Sequence, residues 1–239
     1  MTLPIAAAAS ARPNALLQSF RKGSKAYDLI AAVPLILWYA LSMNACIRAI
    51  DDAADRFLVS PDLAICLLLL SKIALVLLAS FAIGLLIFRR PPQRSAHGIA
   101  PRLAAVLGTF LCVSLPLLPA TQVSALWLGI STALILGGTV FACYSILWLG
   151  RSFSLVAEAR ELVTDGPYSR LRHPLYVGEE VAIFGMVIQF ISPLAILIVA
   201  VQIGCQLYRM HCEEKVLADT FPDYQTYKAR TARLLPGVY

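Results

Sequence analysis

Two polar stretches interrupt an otherwise apolar chain, and they hold the residue types able to grip a charged ligand. The first, residues 151–180, ends in Thr164-Asp165-Gly166-Pro167-Tyr168-Ser169-Arg170-Leu171-Arg172-His173-Pro174-Leu175-Tyr176-Val177-Gly178-Glu179-Glu180; the second is 209–233. Asp165-Gly166-Pro167 is a turn signal. Pro174 suits the first position of a helix, where its missing N–H leaves no bond unmade. His173 then sits at the helix start and Tyr176 in its first turn. Free backbone N–H groups there favour an anionic group such as an amino-acid carboxylate. Arg209 and Glu213 are four apart, share a helix face and can pair. Spacing alone leaves a second reading open, because Arg, Tyr and His also serve as plain anchors at a membrane boundary.

The elements that must position these residues are membrane helices. Hydrophobic residues make up 59% of the 239-residue chain and charged residues 14%, against about 45–50% and about 25% in soluble domains; mean hydropathy is +0.75. That excludes a disordered chain and argues against a soluble globular domain. The apolar residues fall into six blocks, 29–47, 63–88, 103–118, 123–149, 175–191 and 194–208, most near the length that crosses about 30 Å of hydrocarbon. The expected fold is an all-α, polytopic membrane helix bundle. Its last two segments, joined by Ser192-Pro193, are expected to form a tight helical hairpin. Three regions follow: an N-terminal segment 1–28, a four-helix membrane region 29–149, and 150–239, which holds the linker, the hairpin and the C-terminal helices.

Lys and Arg are distributed unevenly. Arg12, Arg21, Lys22 and Lys25 precede the first block, and Arg89, Arg90, Arg94 and Arg102 fill the second loop. The third loop has none, and the first has Arg48 and Arg56 among Asp51, Asp52, Asp55 and Asp62. The positive-inside bias then puts both termini, the second loop and the 151–173 linker in the cytoplasm. It also explains the net charge of +6 without any nucleic-acid partner. The apolar start 1–9 precedes its positive charges, the reverse of a cleavable signal peptide. Cys46, Cys66, Cys112, Cys143, Cys205 and Cys212 make no CxxC pair, so neither a metal nor a disulfide framework is expected. Lys72, inside the second block, is either functional or a snorkelling side chain.

A hairpin brings its ends together, so 168–176 and 209–214 are expected to be neighbours at one membrane surface. Such a site suits a substrate with one water-soluble and one lipid-like part. Arg172-His173-Pro174-Leu175-Tyr176-Val177-Gly178, preceded by Gly166-Pro167-Tyr168, resembles the signature of the isoprenylcysteine carboxyl methyltransferase family. So does Glu213-Glu214-Lys215-Val216-Leu217, followed by Phe221, Tyr224, Tyr227 and Leu235-Pro236. The resemblance covers residues 150–239; the first four helices are alike only in hydrophobic character. The same half-motif occurs in phospholipid N-methyltransferases and membrane sterol reductases.

The resemblance implies S-adenosylmethionine as cofactor, without a Rossmann domain, bound from the cytoplasm. It implies cofactor contacts from Arg160, Glu161, Leu162 and Val163, chiefly through backbone, and from Tyr168, His173, Pro174, Leu175, Tyr176 and Glu213. Arg209 falls where the family faces its methyl acceptor. Methyl transfer from a sulfonium needs alignment and water exclusion more than acid–base help, and no residue is assigned as acid or base. A prenylcysteine-type carboxylate is the implied acceptor, entering between helices from the bilayer, with Arg209 orienting it by a bidentate contact. The competing readings are a phospholipid or small-molecule N/S-methyltransferase, a sterol-reductase-like oxidoreductase using NADPH, and a non-catalytic scaffold. Glu213-Glu214 and Leu175 favour the methyltransferase pattern over the reductase. Oligomeric state is not legible.

Overall fold

The computed structural model describes residues 25–237; the expected N-terminal segment lies outside them up to residue 24. Among the described residues seven α-helices carry the fold: α1 Lys25–Val59, α2 Leu63–Phe88, α3 Ala100–Phe110, α4 Ala125–Leu149, α5 Pro174–Gln189, α6 Pro193–Ala218 and α7 Tyr224–Arg230. One antiparallel pair of two-residue strands, β1 (Arg94–Ser95) and β2 (Glu158–Ala159), is the exception to the helical plan. The chain is a polytopic helical membrane bundle. Among the described residues five helices are long and apolar enough to cross a bilayer: α1, α2, α3 with its 3-10 extension to Leu117, α4 with its extension to Ser152, and α6.

Two helices, α1 and α6, run well past the apolar blocks read from the sequence. α1 runs to Val59, well past its apolar block, because the Ala- and Asp-rich continuation contains no helix breaker before Pro61. α5 has 16 residues, about 24 Å at 1.5 Å per residue, too short to span upright. α6, by contrast, has 26 residues. Ser192 caps it by accepting from Ala195 N at 3.1 Å, as N-cap serines do.

The expected tight hairpin is instead splayed. α5 presses against α4, where Gly178, Ala182 and Gly185 face Ser131, Gly138 and Ala142. A Cβ on Gly138 would stand 2.5 Å from Ala182 N, and one on Gly178 2.7 Å from Ala142 N. Small residues on both helices let the backbones meet, which is how membrane helices associate without a hydrophobic driving force. Ser131 Oγ closes this seam by donating to Gly185 O at 2.7 Å. α6 turns away to lie against α3, with Gln206 over Gly108. Between α5 and α6 the bridges are long polar side chains.

At one end of the bundle the start of α1, the end of α2 and the linker converge. Asp28 accepts from Arg89 Nε at 2.8 Å and from Arg160 Nη2 at 2.8 Å, with all three side chains nearly sealed from solvent. Lys25 Nζ donates to Arg89 O at 2.6 Å and Arg151 Nε to Phe88 O at 2.9 Å. A buried carboxylate is tolerated when its lone pairs are filled this fully.

Candidate functional site

The linker between α4 and α5 has little regular structure, and its shape depends on two glycines. Gly150 (φ +52°) ends α4 and Gly166 (φ +58°) starts a short 3-10 turn. Both occupy the left-handed region that costs glycine least. At Gly166 a Cβ would also strike Trp148 at 2.3 Å. The chain between them is pinned at β2, where Gln93 N donates to Ala159 O at 2.8 Å. From there it runs extended to Asp165 and turns into α5 through His173 and Pro174.

The tail folds back on this linker. Arg172 N donates to Ala232 O at 2.8 Å and Ala232 N to Arg170 O at 3.0 Å. Glu214 is the hub beneath: its carboxylate meets Arg172 Nε at 3.0 Å, Arg233 Nε at 2.9 Å, His173 Nε2 at 3.3 Å and Lys228 Nζ at 3.4 Å. Tyr227 donates from its hydroxyl to Tyr168 O at 2.8 Å. Burial pushes the Tyr227 phenol up to about 12 and raises Tyr168 and Tyr224 as well. All three therefore stay neutral donors at physiological pH.

Linker, α5 start, α6 end and tail line a common cleft. Glu161, Leu162, Val163, Tyr168, His173, Leu175, Tyr176, Arg209 and Glu213 line it. Arg160 and Pro174 do not. The Arg160 side chain is 2% exposed and turned into the Asp28 cluster, also meeting Glu158 and Arg90 O. Its carbonyl is taken by Gln93 Nε2 at 2.9 Å. Pro174 is buried at the start of α5. The Glu161 side chain pairs with Arg90.

Within the cleft Tyr176 holds a central place. Its hydroxyl donates to Glu213 Oε1. Its ring stacks on His173 with centroids 5.4 Å apart, and the Arg209 guanidinium lies 4.8 Å from its centroid. Arg209 Nε donates to Glu213 Oε1 at 3.2 Å, so the pairing expected from their four-residue spacing is present. Arg209 also donates to Thr109 Oγ1 at 3.2 Å.

The sequence reading did not single out Ser152, Ser154, Glu158 and Leu217 as cleft residues, yet they line it. Glu158 comes in through β2, a non-local pairing that no local pattern marks, whereas Leu217 lies on α6 one turn after Glu213, within the Glu213–Leu217 run. The Glu179-Glu180 pair was not singled out either, although two carboxylates inside an apolar helix are conspicuous.

The donor set fits a zwitterionic cofactor such as S-adenosylmethionine. Glu158, Glu161 and Glu213 offer acceptors for an ammonium, and Leu162, Val163, Leu175 and Leu217 offer apolar wall. The buried Tyr224 hydroxyl points to a missing partner, having none among the described residues.

Residues 125–224 match the phospholipid methyltransferase family. The chain is also similar to the nickel-cobalt-cadmium resistance protein NccN of Alcaligenes xylosoxydans xylosoxydans, at 35% identity over 101 residues, 41% of this chain and 46% of that protein. It is 35% identical over 77 residues to the cobalt-zinc-cadmium resistance protein CzcN of Cupriavidus metallidurans, covering 31% of this chain and 35% of that one. The chain thus spans less than half the length of these relatives. No solved structure matches it.

Proposed function

We propose that the protein is an S-adenosylmethionine-dependent methyltransferase that works at the membrane on a lipophilic acceptor. One observation carries this reading. The polar cleft and a mainly apolar groove between α5, α6 and the tail share a wall, Tyr176. A water-soluble donor and a lipid-like acceptor can therefore approach the same point from opposite sides. The similarity of residues 125–224 to the phospholipid methyltransferase family supports the reaction class. By the positive-inside distribution the cleft faces the cytoplasm.

When bound, the cofactor supplies a methyl group already activated on a sulfonium. The residues of this chain bind and align. Glu213 accepts from the cofactor ammonium and holds Tyr176 and Arg209 in place. The neutral Tyr168, braced by Tyr227, and the apolar Leu162 and Val163 keep water from the transfer path. Arg209, one turn before Glu213 and closer to the bilayer, orients the acceptor headgroup. The prenylcysteine-type carboxylate implied by the motif is one acceptor of this shape; a phospholipid or small-molecule amine or thiol is another.

The test is binding of labelled S-adenosylmethionine against NADPH by the detergent-purified protein. Methyl transfer is then measured to prenylcysteine analogues, phospholipids and thiols. Saturable S-adenosylmethionine binding with transfer to a lipid-like acceptor is the expected result. Binding of NADPH alone would replace this reading with the reductase-like one.

A further inference from the structure

Val156 and Glu158 line the cofactor cleft and also a second cleft, between the start of α1 and β1. The segment 156–158 is therefore a wall between the two. Behind Glu158 stands the Arg160 guanidinium, 2.6 Å from its Oε2 and sealed from solvent. One carboxylate thus separates a full positive charge from the space proposed for a cationic cofactor.

Arg160 is held in that place from α1. Asp28 accepts from Arg160 Nη2 at 2.8 Å and from Nη1 at 3.3 Å, the two-pronged contact that suits a guanidinium. Arg160 also donates to Glu158 and Arg90 O, and its Nε has no partner among the described residues. Asp28 binds Arg89 just as fully, by Nε at 2.8 Å and Nη2 at 2.9 Å. Two carboxylates, Asp28 and Glu158, balance two guanidiniums, Arg89 and Arg160. Lys25 and Arg151 add positive charge at the same end, bonded to the carbonyls of Arg89 and Phe88. A buried cation stripped of its counter-ion is strongly unfavourable. Without Asp28, the carboxylates left to Arg160 are Glu158 and the adjacent Glu161, and both line the cofactor cleft.

We propose that Asp28 is a positioning residue for the cofactor cleft: it holds the Arg160 guanidinium behind the wall, so that a cationic cofactor meets the carboxylates of Glu158 and Glu161 and not a guanidinium. The proposal rests on the methyltransferase reading. It makes the first turn of α1, 132 positions from Arg160 in the chain, part of the selection for a positively charged donor.

S-adenosylmethionine and its demethylated product, S-adenosylhomocysteine, test this directly, since they differ by one methyl and one positive charge. A unit of charge lost about 10 Å from the sulfonium, at an effective dielectric of about 20, changes affinity by about tenfold. The ratio of the two affinities, S-adenosylmethionine over product, is expected to fall about tenfold in Asp28→Asn and to return when Arg160→Gln is added. A purely structural role would weaken both ligands alike, so an unchanged ratio in Asp28→Asn overturns the proposal. Should Asp28→Asn fail to fold, Arg160→Gln alone decides, because it leaves Asp28 paired with Arg89: its ratio must equal or exceed the native one. A lower ratio there would make Arg160 itself a cofactor ligand and overturn the proposal. Phenylglyoxal labelling of the unliganded protein is read in parallel by mass spectrometry. Arg160 is expected to be protected in the native protein and labelled in Asp28→Asn, with exposed Arg94 and Arg102 labelled in both. Equal labelling of Arg160 in the two proteins overturns the placement. Native protein that binds neither ligand defeats the methyltransferase reading alone, and the labelling still decides what Asp28 holds.

Discussion

α5 has two neighbours and treats them oppositely. Toward α4 it presents glycine and alanine, and the backbones meet so closely that several Cβ atoms have no room. Toward α6 it presents Tyr176, Glu179, Glu180 and Phe184, and the helices stand apart with amides reaching across. The first seam is dry and fixed. The second is wide enough for an apolar chain and lined at its inner end with charge. A short helix held hard on one side can leave its other side open for a ligand without losing its position.

Four experiments test that contrast. The largest effect is expected on the closed seam. Gly138→Val places side-chain atoms against Ala182 backbone that cannot yield, so stability should fall by about 3 kcal/mol, the upper range for overpacking. Thermal unfolding in detergent reads it, and an unchanged midpoint would mean the seam is looser than described.

Next comes the polar end of the open seam. Glu213→Gln keeps shape but removes the charge proposed to meet the cofactor ammonium. A charge-assisted hydrogen bond contributes roughly 1.5–3 kcal/mol, so cofactor affinity should drop about 10- to 150-fold. Calorimetric titration that finds no drop would remove Glu213 from the cofactor shell.

Arg209→Lys follows, with a smaller expected effect. It keeps the charge but loses the fork that binds Glu213 and Thr109 together and the flat face over Tyr176. Turnover should fall about tenfold, near the weaker end of the range for hydrogen bonds to charged groups, while cofactor affinity stays close to that of the native protein. Full turnover would leave Arg209 as an interfacial anchor, and lost cofactor binding would move it into the cofactor shell.

The smallest effect is the control. Gly204→Ala on α6 meets nothing within 4 Å, so it should leave both unfolding and transfer unchanged, or raise stability slightly through helix propensity. A large loss there would show that α6 approaches another element more closely than Gly204 suggests.

The cleft was partly readable because its chemistry is local. The run Arg172–Gly178 and the pair Arg209 and Glu213 lie on helix ends, where spacing fixes which side chains share a face. Arg160 shows where local reading ends. As part of a motif segment it reads as a cleft residue, yet Asp28, 132 positions away, draws its side chain to the opposite side of the chain. Glu158 shows the converse, brought to the cleft by the pairing of β2 with β1. Lys72 remains half-buried in α2 with no hydrogen bond or ion pair among the described residues, and nothing in the structure explains it.

Apolar block lengths and the polar breaks between them determined the helical membrane class and the order of the helices. These follow from the thickness of a bilayer and the need to pair every backbone group inside it. Helix partners were another matter. That α5 chooses α4 and α6 chooses α3 depends on whether Gly138 meets Gly178 and Gly108 meets Gln206, a match of surfaces between segments far apart in the chain. Hydropathy scores a glycine the same wherever it faces, so where the bundle closes and where it opens is set by contacts that form on packing.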